Sequence, residues 1–109
     1  MLRRSFDTAL RDYDAALRLN PDQAEAHVNK GIALLHRGGE AEAIAALSKG
    51  IALNPQSPEV AYYSRGVAHE LSGDVNAAYR DYRQAAELKP DWQEPKTQLQ
   101  RFQVVRKGG

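Results

Sequence analysis

A chain of 109 residues has room for one domain, which at this size buries about two-thirds of the surface that the unfolded chain exposes. Its 15 basic and 14 acidic residues leave a formal charge of +1, without the excess that draws a protein to nucleic acid or to an anionic membrane. Cysteine is missing, which removes disulfides, thiolate chemistry and cysteine-bound zinc, and no apolar run approaches the roughly 20 residues that span a bilayer. The opening Met1-Leu2-Arg3-Arg4-Ser5-Phe6-Asp7 has no apolar run behind its basic residues, so the chain as given reads as soluble, leaderless and cytoplasmic, although a parent protein with an export signal would also fit.

Capping chemistry marks six helices in turn. Ser5 reads as the N-cap of a helix over 5–19, which Leu19-Asn20-Pro21 closes. A helix over 23–37 opens on the capping box Asp22-x-x-Glu25 and ends at Gly38-Gly39. The helix over 40–53 is stopped by Pro55, and the next, over 57–72, starts from Ser57 with Pro58 in its first turn and ends at Ser72-Gly73. Asp74 caps a helix over 74–88, which Pro90 terminates. Asp91-x-x-Glu94 is a second capping box for a helix over 93–106, and Arg106-Lys107-Gly108-Gly109 is expected to fray.

The helices repeat. Pro21, Pro55 and Pro90 follow one another at intervals of 34 and 35 residues, Gly31 and Gly66 lie 35 apart, and the small pairs Ala9/Ala16, Ala43/Gly50 and Ala78/Ala85 keep one internal spacing. Glycine inside a helix costs about 1 kcal/mol relative to alanine, so its return at a fixed phase implies close approach of two helices. Tyr13, Leu17, Ile44, Leu47, Ile51, Tyr79 and Tyr82 fall at helical spacing and are expected to fill the seams.

His27, Lys30-Gly31, Leu34, Ala43, Leu47 and Pro55, then Tyr62, Arg65-Gly66, His69, Ala78, Tyr82 and Pro90, with Ala9, Tyr13 and Pro21 as half of an earlier copy, resemble the tetratricopeptide repeat. His27 and His69 depart from its usual large apolar residues, and the linker after Pro55 carries one residue more. The resemblance implies an all-α fold, a right-handed superhelical stack of antiparallel helix pairs. It would form a single domain over 1–109, with a half repeat (5–19), two repeats (23–55 and 57–90) and a closing helix (91–107). In the closing segment Lys89-Pro90-Asp91-Trp92 precedes the apolar rhythm Leu99, Phe102, Val105. Arg101-Phe102-Gln103-Val104-Val105 looks like the ends of bacterial repeat proteins and suggests a natural C-terminus.

The resemblance also implies a concave groove lined by the first helix of each pair, suited to an extended peptide or a helix of a protein partner. Its pattern selects Glu25, Val28, Asn29, Ile32 and His36, then Val60, Tyr63, Ser64, Val67 and Glu70, then Thr97, Gln98 and Arg101. Asn29 stands out, because an amide both donates to and accepts from a ligand backbone. Some family members clamp acidic C-terminal tails with lysine, asparagine and arginine. Val60 and Ser64 stand where such residues are needed, and Glu25 and Glu70 repel an acid, so an apolar or mildly basic segment is expected instead.

Catalytic readings fail on spacing. His69-Glu70-Leu71-Ser72-Gly73 places Gly73 where a helical zinc site needs its second histidine, and Asp12/Asp14 and Glu40/Glu42 point to different helical faces. Asp7/Arg11, Asp14/Arg18 and Arg83/Glu87 are spaced as helix-supporting ion pairs. No enzyme activity, cofactor or metal is expected. The half repeat leaves Phe6, Leu10, Tyr13 and Leu17 with an uncovered flank. A longer parent chain, a homodimer through this helix, or Leu2 with local rearrangement would each supply the cover.

Overall fold

Six helices in antiparallel succession form an elongated stack of 48 × 28 × 20 Å, in a computed structural model that describes the backbone of residues 2–108 and the side chains of residues 6–102. They are α1 (Leu2–Leu19), α2 (Ala24–Arg37), α3 (Glu40–Ala52), α4 (Pro58–Leu71), α5 (Val75–Leu88) and α6 (Gln93–Gly108), with no strand among the described residues. The tight pairs are α2 with α3 and α4 with α5. Helix α1 leans on α2, α3 joins the two pairs by packing on α4, α2 touches α4, and α6 closes over α5.

The two pairs turn on the same device. Gly38 and Gly73 hold φ of +97° and +92°, which a Cβ would disfavour. Around each, two N–H groups reach back to the last turn, Gly39 to Leu34 O (2.8 Å) and Asp74 to His69 O (2.9 Å). Asp74 then caps α5, its carboxylate accepting from Ala77 N–H at 3.1 Å. Ser57 occupies the N-cap of α4 with Pro58 behind it, but its hydroxyl makes no capping bond.

Three expected starts or caps differ. Helix α1 begins at Leu2, because Leu2-Arg3-Arg4 are good helix formers and nothing breaks the run, so Ser5 lies inside the helix. Gln23, not Asp22, precedes α2. The turn is held instead by the Asn20 amide oxygen, which accepts from Asp22 N–H (3.2 Å), and by Gln23 Nε2, which donates to Ala16 O (3.0 Å). His27 Nε2–H closes the same turn onto Pro21 O at 2.7 Å, a task that explains a histidine where the repeat usually has an apolar residue. Helix α6 starts at Gln93, one residue too late for Asp91 to cap it, and its backbone stays helical to Gly108 instead of fraying after residue 105. The side chains of Leu2, Ser5, Val104 and Val105 lie outside the described residues.

Close approach is visible at the glycines. A Cβ on Gly31 would stand 2.5 Å from Leu47 Cγ, and one on Gly66 would stand 2.9 Å from the Tyr82 ring. Leu47 and Tyr82 have no freedom to yield, being 0% and 1% exposed. One core cluster gathers Leu10, Val28, Leu34, Ala43, Leu47 and Ala61, with Tyr13, Ile44 and Ile51 against it. A second gathers Ala78, Tyr82 and Phe102, with Tyr63, Val67, Tyr79 and Leu99 against it.

Between the clusters sits the buried acid Asp81, 5% exposed. Arg65 grips it with Nε and Nη2, both at 2.8 Å, while Nη1 donates to Ser48 Oγ (3.1 Å) on α3. The guanidinium lies 5.4 Å from the Tyr62 ring centre, and His69 Nε2 is 3.7 Å from the same carboxylate. One side chain therefore ties α3, α4 and α5 together. The Asp81 hydrogen bonds hold the Arg65 pKa above its ordinary value, although burial pushes the other way. Of the ion pairs expected within helices, only Arg83–Glu87 forms (3.2 Å). Asp7 and Asp14 reach instead to Arg37 (3.2 Å) and Lys30 (2.8 Å), cations that α2 brings within range.

Gly31→Ala and Gly66→Ala should each lose about 1–3 kcal/mol in urea unfolding, despite the better helix propensity of alanine, because the overpacking has no outlet. Asp81→Ala should cost about 3 kcal/mol by leaving the Arg65 guanidinium without its acid, whereas Arg65→Met combined with Asp81→Leu should recover most of that loss. Equal losses for the single and double changes would show that the pair is not the source.

Candidate peptide-binding face

The first helices of the successive units, α2, α4 and α6, carry the residues expected to face a partner. The structure spends several of them on itself. Val28 is buried, with a methyl group in the space that a Gly50 side chain would occupy, so it belongs to the α2–α3 core and not to a surface pocket. The Glu25 carboxylate accepts from Gln56 N–H at 2.6 Å and pins the linker between α3 and α4. His36 is exposed and stacks on Phe6, ring centres 5.5 Å apart.

On α4 and α6 the expected residues bind each other. Arg101 forms a two-pronged pair with Glu70, through Nη2 to Oε2 and Nη1 to Oε1, and also donates to the Gln98 amide oxygen. Gln98 Nε2 donates to Tyr63 Oη at 3.3 Å, and Tyr82 Oη donates to Glu70 Oε1 at 2.9 Å. The Tyr63 ring lies tilted against those of Trp92 and Tyr82, with ring centres 5.1 and 5.5 Å away. The network fastens α6 across α4. Hydrogen bonding from Arg101 lowers the Glu70 pKa below its usual 4.5, against a smaller opposing push from burial. Burial raises the Tyr82 phenol, and the Glu70 hydrogen bond adds to the shift.

What stays open lies nearer the middle. Asn29 is exposed and Ser64 half-buried, and neither side chain has a hydrogen-bond partner among the described residues. Ile32, Val60 and Val67 are half-buried beside them, with Ile32 packed on the first core and Val67 on the second. Thr97 is exposed and its hydroxyl donates to Gln93 O in its own helix (3.3 Å). The expected set thus divides into Asn29, Ile32, Val60, Ser64 and Val67, whose side chains make no hydrogen bond among the described residues, and a tied group of Tyr63, Glu70, Gln98 and Arg101.

The sequence reading missed the Arg65–Asp81–Ser48 clasp. Its signal was a cation directly before the glycine of α2 and of α4, Lys30 and Arg65, but only the second pair of helices supplies an acid opposite. At the corresponding places the first pair has Leu34 for His69 and Ala46 for Asp81, and a cleft of about 360 Å³ opens there beside His27, Lys30 and Lys49. A smaller cavity of about 220 Å³ lies where Glu70, Val75, Arg101 and Phe102 meet. Among the described residues no three of His, Cys, Asp and Glu gather as a metal site would require, and no helix is long and apolar enough to cross a membrane.

The tetratricopeptide-repeat family matches residues 3–58 and again residues 60–92. Serine/threonine-protein phosphatase 5 of Rattus norvegicus is 27% identical over 97 residues, 89% of this chain but 19% of the phosphatase. Tetratricopeptide repeat protein 28 of Homo sapiens is 32% identical over 101 residues, 93% of this chain and 4% of that protein. The chain therefore spans less than a fifth of these relatives. Among solved structures, the first TPR of Spaghetti (RPAP3), bound to the HSP90 peptide SRMEEVD, has a TM-score of 0.84 at 25% identity, covering 92% of this chain and 80% of that one. MamA has a TM-score of 0.80 at 26% identity, covering 86% of this chain and 54% of that one. With one repeat governing the prolines, the glycine contacts and the order of the helices, the chain belongs to the tetratricopeptide-repeat family, a helical solenoid that serves as a protein-interaction module.

Proposed function

We propose that this chain binds an extended peptide or a helical segment of a partner protein along the strip of Asn29, Ile32, Val60, Ser64 and Val67. The observation that carries this reading is the unspent polarity of Asn29 and Ser64 beside half-buried apolar groups, on the helices that touch one another. Two uncommitted polar groups satisfy a ligand backbone, and Ile32 and Val67 accept its apolar side chains.

The ligand differs in charge from the one named for the RPAP3 structure. SRMEEVD carries three acids, which call for free cations. Arg101 is the one cation in the expected set, and it is spent on Glu70. An apolar or mildly basic segment therefore fits better. Self-association through Phe6, Leu10, Tyr13 and Leu17 is the second reading. It is weakened by Leu10, which is only 6% exposed within one chain, and by Phe6, whose ring is covered by His36.

A peptide array probed with the full chain should recover sequences whose affinity falls about tenfold with Asn29→Ala or Ser64→Ala, the loss of roughly one hydrogen bond. If every recovered sequence bound both variants like wild type, the strip would not be the site. The α6 fastening has its own signature. Because the folded Glu70 pKa lies below 4.5, its contribution to stability is complete at higher pH and is lost as pH falls through the folded value. The urea midpoint of Glu70→Gln should therefore lie below wild type at about pH 6, and the gap should close toward about pH 3. A gap that did not change with pH would deny the carboxylate that role.

A further inference from the structure

The cleft of about 360 Å³ on the α2–α3 pair lies away from the candidate face. His27, Lys30 and Leu34 project from one side of α2, and at about 3.6 residues per turn Asn29, Ile32 and His36 project from the other. The opposite wall is a single stripe of α3, made by Glu42, Ala45, Ala46 and Lys49. The helices are antiparallel, which fixes the two ends. Gly50 faces Val28 and Leu47 faces Gly31, so Lys49 stands by His27, whereas Glu42 and Leu34 both border Gly39 at the far end.

Two charges in this cleft are unmatched. Lys30 is balanced by Asp14 at 2.8 Å, and His27 Nε2 is spent on Pro21 O. Lys49 and Glu42 are exposed, and neither has an ionic or hydrogen-bond partner among the described residues. Seven residues, about 10 Å of helix, separate them, whereas ion pairs within a helix form at three or four. Leu34, Ala45 and Ala46 line the stretch between. The cleft is therefore positive at one end, negative at the other and apolar along its middle. At the corresponding places α5 has Ala77 and Gln84 and α1 has Thr8 and Ala15, so the arrangement belongs to this pair and not to the repeat.

We propose that this cleft holds the carboxy-terminal lysine of a partner protein. The terminal carboxylate pairs with Lys49, the four-carbon stem lies over Ala45, Ala46 and Leu34, and the ammonium reaches Glu42. One residue then supplies both charges that the cleft leaves unmatched, at the ends of an apolar stem that suits its middle. A lysine within a chain has no carboxylate to offer Lys49, and an acidic chain end is repelled by Glu42. The volume lies within the range of about 300–1,000 Å³ that holds a small ligand.

The test titrates the full chain with three short peptides: acetyl-Ala-Ala-Lys with a free carboxylate, the same peptide as its amide, and acetyl-Ala-Ala-Leu with a free carboxylate. The amide NMR signals of Ala45, Ala46 and Lys49 should saturate with the first, at a dissociation constant on the order of a few mM. The other two should bind about three- to fivefold more weakly, since each lacks one of two solvent-facing ion pairs. Lys49→Met should weaken the first peptide by a similar factor and leave the amide unchanged, and Glu42→Gln should do the same while leaving the leucine peptide unchanged. Both side chains are exposed, so neither change threatens the fold. Absence of saturation, equal affinity for the three peptides, or losses that ignore these matched pairs would overturn the proposal. So would tighter binding of 6-aminohexanoate than of acetyl-Ala-Ala-Lys by about tenfold, since the occupant would then be a free amino acid and not a chain end.

Discussion

Each pair of helices can close only because a glycine on one meets a bulky, immobile side chain on the other. Gly31 against Leu47 and Gly66 against Tyr82 bring the backbones near enough for Ala43, Ala78 and Ala85 to vanish from solvent. Close packing of that kind forbids compensation by small shifts, since the surrounding side chains are themselves at native density. With the pairs closed in this way, α3 packs on α4 and α2 touches α4.

The two complete pairs solve the same packing problem with different chemistry. The α4–α5 pair uses an acid and a guanidinium, whose cost of burial is offset by two short hydrogen bonds and a third to Ser48. The α2–α3 pair uses Leu34 and Ala46 at those places, which need no partner but leave a cleft. Lys30 then reaches to Asp14 on α1, just as Arg65 reaches to Ser48 on α3. Both cations look back to the previous helix, and only one of them also has an acid in its own pair.

Much of the architecture was legible in the residues, for reasons that the coordinates make plain. Prolines and glycines act through local sterics, so Gly38, Gly73, Pro58 and Pro90 marked helix ends to within a residue or two. Capping boxes were less dependable. Glu25 satisfies the distant Gln56 amide, and Asn20, Gln23 and His27 share the work assigned to Asp22. The candidate binding face was legible only as a list of positions. Whether Glu70 and Arg101 face a ligand or each other depends on how α6 crosses α4, and repeat spacing carries no information about a helix that departs from the repeat. Val28 was misplaced for a related reason: its phase put it at the edge of the face, and the absent side chain at Gly50 drew it inward. On α1 the apolar stripe was recognised, but which of its two sides α2 would choose was not.

The Arg65 clasp bears on how the molecule comes apart. Stacked repeats tend to unzip from an extremity, since each unit is held only by its neighbours. Here a single guanidinium spans the boundary between the two pairs from a half-buried position, where dissolved ions screen it poorly. Helix α1 relies for its ionic contacts on Asp7–Arg37 and Asp14–Lys30, which are largely open to water. Rising ionic strength thus weakens the ionic contacts of the amino-terminal rung more than the clasp at the middle of the ladder.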